Sequence, residues 1–90
     1  MNNKFEYRYI VTVREAEENN LIYNDSFDVN PLPFGFMNKK WEELKLKIQE
    51  GDKLIEYRTS EKSWEHMSGR EGIWLVRDSK LIDQIITEMN

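Results

Sequence analysis

The chain has no cysteine, one histidine and two prolines in 90 residues. Without cysteine there are no disulfides and no thiolate metal sites, so packing alone must stabilise the fold. His66 has no second imidazole to share a metal with. Ser63, Glu65 and Ser68 lie close to it in sequence but match no nucleophile–base spacing. Asp25, Asp28 and Asn30 lack the alternating acids and central glycine of a calcium loop. No metal and no cofactor is therefore expected. No apolar run approaches the ~20 residues of a membrane span, and no apolar signal region follows Met1-Asn2-Asn3-Lys4. The expectation is a cytoplasmic protein without a membrane partner.

Basic residues are absent from Glu15 to Asn38, a stretch that carries Glu15, Glu17, Glu18, Asp25 and Asp28. With a net charge of −4, the chain lacks the basic stripe that binding nucleic acid needs. A solvated, solubilising surface is the plain reading of these acids. The sharper one is an acidic contact face for a protein partner with a basic surface, which would steer association.

What is present suits one domain over residues 1–90. Hydrophobic residues make up 39% and charged residues 33%, a balance that favours a globular domain over disorder. Phe5, Tyr7, Tyr9, Val11 and Val13 alternate with polar residues, interrupted only by Ile10, as in a strand with one buried face. Leu21, Tyr23, Phe27 and Val29 suggest a second strand. A three-residue loop from Glu18 to Asn20 would join the two as a hairpin and gather the apolar groups on one face. The competing reading makes residues 14–23 a helix.

Two prolines between Asn30 and Phe34 end the sheet there. Met37, Trp41, Leu44 and Ile48 then recur at helical spacing over residues 38–50, with Asn38 as N-cap and Gly51 as the left-handed stop. Residues 53–59 read as a strand and 60–67 as a short helical turn. Ile73-Trp74-Leu75-Val76 is a continuous apolar run, expected of a central strand covered on both sides. Asp78-Ser79-Lys80 turns the chain into a last strand over 81–89. The expected fold is α+β: about five antiparallel strands against one main helix, with a short helix between the third and fourth strands. The expected core is Tyr7, Tyr9, Val11, Phe27, Trp41, Leu44, Ile48, Leu54, Trp64, Leu75, Ile82 and Ile86.

Gly51-Asp52, Ser63-Trp64, Gly69-Arg70, Gly72, Leu75-Val76-Arg77-Asp78 and the ending Thr87-Glu88-Met89-Asn90 resemble a group of small uncharacterised bacterial proteins. Those proteins share a GD, SW, GRxG, LVR, TxMN pattern. The resemblance covers the C-terminal half and implies a bacterial, cytoplasmic setting. It brings no catalytic residue, cofactor or substrate. Its relatives often carry Asp-Gly where this chain has Asp78-Ser79.

Two function classes remain. The leading one is a non-catalytic binding protein, immunity- or antitoxin-like, acting through protein–protein contact. Its candidate contacts are Glu15, Glu17, Glu18, Asp25, Asp28, Phe34 and Phe36, although both phenylalanines would equally serve to roof the core. The alternative is a small-ligand binder or minor enzyme with a pocket formed by Arg70, Trp64 and His66. There the Gly69-Arg70-Glu71-Gly72 corner would present a guanidinium to an anion. Arg70 paired with Asp52 or Glu56 is the structural reading of that corner. A homodimer through the last strand or the aromatic loop is compatible with either class.

Overall fold

The computed structural model describes residues 6–22 and 32–89. In chain order the elements are β1 (Tyr7–Val11), α1 (Val13–Asn19), β2 (Leu21–Ile22), β3 (Leu32–Pro33) and a 3-10 turn (Gly35–Met37). They continue with α2 (Asn38–Leu46), β4 (Lys53–Arg58), α3 (Glu61–Glu65), β5 (Arg70–Arg77) and β6 (Lys80–Met89). The main sheet has four strands, all antiparallel, in the order β1-β4-β5-β6, and β2 with β3 forms a separate two-stranded ladder. The class is the expected α+β, but with four strands in the sheet rather than about five.

The N-terminal hairpin is replaced by a helix, because Thr12-Val13-Arg14-Glu15 is a capping box. The Thr12 side chain accepts from the Glu15 amide at 3.0 Å, and the Glu15 carboxylate accepts from the Thr12 amide at 2.9 Å. Two otherwise orphan donors are satisfied at once, which starts a helix directly after the strand. β1 therefore pairs with β4, Val11 lying opposite Leu54 and Tyr7 opposite Arg58. Of the expected second strand, Leu21–Ile22 is extended; Phe27 and Val29 lie outside the described residues.

The α2 stripe forms as expected: Trp41 and Leu44 are buried, with Met37 and Ile48 packed partly against the core. Asn38 is not the N-cap, since the 3-10 turn runs straight into α2. Instead its side-chain amide donates to the Pro33 carbonyl at 3.0 Å and ties the loop to the helix. Gly51 does take a left-handed conformation, φ +90°, but in a turn beyond the helix end.

α1 and α2 cover one face of the sheet. Ala16, Phe34, Trp41 and Leu44 pack against Leu54, Ile73, Leu75 and Ile85. Relative to expectation the core under the helices gains Ala16, Phe34, Ile73 and Ile85; it loses Tyr9 and Ile82, which are exposed, Tyr7 and Trp64, which are half-buried outside the cluster, and Ile86, which is half-buried on the sheet's other face. Ile82 moves outward because register shifts between Leu75 and Val76 where β6 carries an extra residue. Gly72 sits within β5 where a Cβ would strike the Ile85 carbonyl. The glycine-flanked segment is thus the start of a strand and not a corner. The thinnest dimension is 17 Å, room for one sheet and one helix layer given layer spacings of about 10 Å.

Candidate protein-contact surface

Side chains alternate across a strand, so the registers assign each residue to a face. Leu54, Ile73, Leu75 and Ile85 point to the helices. On the other face lie Arg8 and Ile10 of β1, Lys53, Ile55 and Tyr57 of β4, Arg70, Trp74 and Val76 of β5, and Leu81, Gln84 and Ile86 of β6. No described element covers this second face. Ile10 is 68% exposed and Leu81 53%, while Ile55, Trp74 and Val76 are half-buried. The continuous Ile73–Val76 run is therefore covered on one side only, a correction to the two-sided burial expected from its sequence.

The surface is organised. Trp74 stacks on Tyr57 with ring centroids 4.2 Å apart, and the Arg8 guanidinium lies 5.2 Å from the Trp74 ring. Tyr57 is buried beneath this arrangement, and burial pushes its phenol pKa up. Beside the stack is a hollow of about 310 Å³ lined by Ile55, Trp74, Val76, Ser79 and Leu81. The ionisable groups that the four strands place on this face, Tyr57 apart, are Arg8, Lys53 and Arg70, all cationic. The carboxylate at the edge of this face is Asp78, in the β5–β6 turn, which borders a hollow shared with Lys53, Ile55 and Val76.

Much of the acidic charge is spent holding the fold. Glu17 accepts from the buried Trp41 indole N–H at 2.8 Å and from Lys45 Nζ at 2.7 Å. These bonds hold its pKa below the usual carboxylate value, Lys45 first and Trp41 second. Glu15 belongs to the capping box, and Glu18 pairs with Arg14 at 3.1 Å on the exposed side of α1. The expected acidic face is thus interrupted by Glu17, and Asp25 and Asp28 lie outside the described residues. Asp52, 1% exposed in its side chain, accepts two bonds from Arg77, at 2.8 and 2.9 Å, and these hold its carboxyl low. The arginine that pins Asp52 is Arg77, not Arg70.

Arg70, Trp64 and His66 do not converge. Arg70 donates to the Gly69 carbonyl at 2.8 Å and extends beside Tyr57 on the open face. Trp64 lies under the Arg58 guanidinium, 4.3 Å from its ring, and against Gly69, where a Cβ would clash with the indole. Arg58 in turn pairs with Glu71 at 2.9 Å, and Glu71 accepts from the Tyr7 hydroxyl at 2.7 Å, on the helix-covered side. Burial, then that Glu71 bond, raises the Tyr7 pKa. His66 is exposed after the end of α3. The network joins charges to one another. Among the described residues no three His, Asp or Glu side chains gather as a metal site, and no helix is long and apolar enough to cross a membrane.

The two loop phenylalanines part company. Phe34 is buried against Trp41, centroids 4.6 Å apart, whereas Phe36 is 98% exposed. Sequence reasoning missed Arg8, Ile10, Ile55, Trp74 and Leu81 as candidate contacts. The signals were there: Ile10 breaks the alternation of β1, and Trp74 and Val76 are the apolar residues of β5 that a single helix layer cannot cover. Comparison with protein-family models, curated proteins and solved structures finds no match.

Proposed function

We propose that this chain is a small non-catalytic protein-binding module whose partner covers the open face of its sheet. The observation that carries the reading is the uncovered second side of β5. Trp74 and Val76, with Ile10, Ile55 and Leu81 beside them, form a contiguous apolar surface on a domain that spends its two main helices on the other side. Contiguous exposed apolar patches rimmed by polar groups mark interaction sites, and a stacked Trp–Tyr pair with a neighbouring Arg has the composition of binding hot spots.

The rim selects the partner. Arg8, Lys53 and Arg70 outnumber Asp78 around the apolar centre and favour an acidic surface on the partner. A basic partner for Glu15 and Glu18 is the less supported choice, since neither residue adjoins an exposed apolar surface comparable to the open face. A bacterial, cytoplasmic setting belongs to this proposal, as the resemblance of the C-terminal half implies. Immunity- or antitoxin-like roles, in which a small domain acts by occupying its target's surface, belong to the same class.

The test is native mass spectrometry of the protein purified gently from its host, followed by binding measurements with the protein it retains. Arg8→Glu with Lys53→Glu should slow association and flatten its salt dependence. Leu81→Asp should weaken binding by at least about tenfold, the size of a modest hot-spot loss, without lowering the melting temperature. Equal binding by all these variants would remove the open face from the account.

A further inference from the structure

The open face is uneven, and its hollows give the contact a shape and a direction. The registers set Lys53, Val76 and Leu81 side by side in one row across β4, β5 and β6, with Ile55 and Trp74 in the next row. Ile82 is the extra residue of β6 here, so Leu81 and Gln84, neighbours on this face, stand three residues apart rather than two. A bulge of this kind bends its strand, and the hollow of about 310 Å³ lies beside it. A second hollow, of about 450 Å³, adjoins the first: the two share Ile55, Val76 and Ser79, and Gly51, Lys53 and Asp78 complete the second. Together they make one trough, and every wall of it is a described residue. Trp74 is a fixed wall, since its ring is stacked on Tyr57. The charges of the trough are divided. Lys53 stands on its β4 side and Asp78 at the β5–β6 turn. Among the described residues Lys53 enters no ion pair. Arg8 of β1, beside the Trp74 ring, adds a second cation to the Lys53 side.

We propose that the partner protein anchors itself by one large apolar side chain, seated between Ile55, Trp74, Val76 and Leu81, with a carboxylate of the same segment meeting Lys53. The inference rests on the protein-binding reading above and adds the chemistry and orientation of the contact. An apolar cavity of about 150 Å³ holds a benzene ring, so the hollow has room for an aromatic or leucine side chain and the backbone that brings it. Charge complementarity sets the direction. A carboxylate is drawn to Lys53 and Arg8 and repelled by Asp78, so the acids of the segment lie toward β1 and β4, and its neutral or basic groups toward the turn. A segment with the opposite polarity would meet like charge on both sides of the trough, which makes Lys53 and Asp78 specificity determinants as well as contacts.

NMR of the methyl and indole groups tests the anchor, with phenylpropionate and phenylpropylamine titrated separately into the whole chain. The two probes carry the same ring and differ in the sign of their charge. The acid should shift Ile55, Trp74, Val76 and Leu81 together and bind more tightly than the amine. Lys53→Met, which keeps the apolar stem, should weaken the acid about two- to fivefold, the size of an exposed ion pair, and leave the melting temperature unchanged. Asp78→Asn, a residue that tolerates the left-handed turn, should tighten the acid and weaken the amine. No binding, shifts at other residues, equal affinity for the two probes, or an acid that ignores both substitutions would each overturn the anchor. Such a result leaves the protein-binding reading intact, because that reading is judged by the retained protein and by Leu81→Asp. If the acid binds as stated and the host yields no protein that Leu81→Asp releases, the carboxylate belongs to a free ligand and the proposed protein source is overturned.

Discussion

Replacing Glu17 by Ala should destabilise the protein far more than replacing its neighbour Glu18. The Trp41 side chain is fully buried, and its indole N–H donates to the Glu17 carboxylate at 2.8 Å. Leaving a buried donor unpaired costs about 1–3 kcal/mol. The Lys45–Glu17 pair, each side chain 27% exposed, adds at most about 1 kcal/mol, since partly solvated pairs are weak. Lys45 also keeps Glu42 at 3.1 Å. Alanine is the better helix former and returns about half a kcal/mol. The net loss is about 2 kcal/mol from a domain whose total is roughly 5–13 kcal/mol at its length, a fall of about 8–16 °C in melting temperature. Glu18→Ala removes an ion pair whose side chains are 86% and 60% exposed, and its effect should stay within about 0.5 kcal/mol. Urea titration followed by tryptophan fluorescence measures both. Glu17→Gln keeps an acceptor for the indole and should fall between them. Because the folded Glu17 pKa lies below its unfolded value, its charge stabilises the fold above the unfolded pKa, and that contribution fades as pH falls through the folded one. The gap between wild type and Glu17→Gln should therefore close in acid. Equal losses for Glu17→Ala and Glu18→Ala would show that the indole does not depend on this carboxylate.

Glu56 works in the opposite sense. Burial, reinforced by the charge of Glu71, raises its pKa despite the bonds from Asn19 and Asn20. The fold thus favours the protonated form, and stability is lost as pH rises through the folded pKa. Glu56→Gln should raise the melting temperature at neutral pH and leave it unchanged in acid, as scanning calorimetry at the two pH values would show. Asp78 and Ser79 both have positive φ, +51° and +67°, the pattern of the tight hairpin turn that prefers Asp-Gly. Ser79→Gly should stabilise by about 0.5–1 kcal/mol, the relief of left-handed strain less the entropy glycine adds to the unfolded chain; a lower melting temperature would contradict that turn geometry.

The parts of the fold legible in the sequence are those whose signals are local. The Trp41–Leu44 stripe and the β4-β5-β6 succession each declare themselves within a few residues of chain. The pairing of β1 with β4 joins Val11 to Leu54 across two helices, and no local pattern encodes such a partner. The alternation from Leu21 to Val29 suggests a hairpin, but the Thr12–Glu15 capping box is an equally local signal with a mechanism, and it is the one the fold follows. Phe34 and Phe36 are identical in type and two residues apart, and only the left-handed turn between them decides which is buried. For the contact surface, the apolar run at Ile73–Val76 shows that β5 needs cover on two sides. It does not show that this chain supplies only one. The glycines flanking Arg70 serve the close approach of Trp64 and of the Ile85 carbonyl, and do not shape an anion-binding corner.

The central claim is that a partner protein completes the sheet's second face, and site-specific photocrosslinking in the native host tests it most directly. A crosslinking residue at Leu81, on the open face, is compared with one at Leu46, exposed at the end of α2. The account predicts one dominant heterologous adduct from position 81 and not from 46, formed with an acidic protein and abolished by adding Arg8→Glu and Lys53→Glu. No adduct at 81, or the same adduct from both positions, would contradict it.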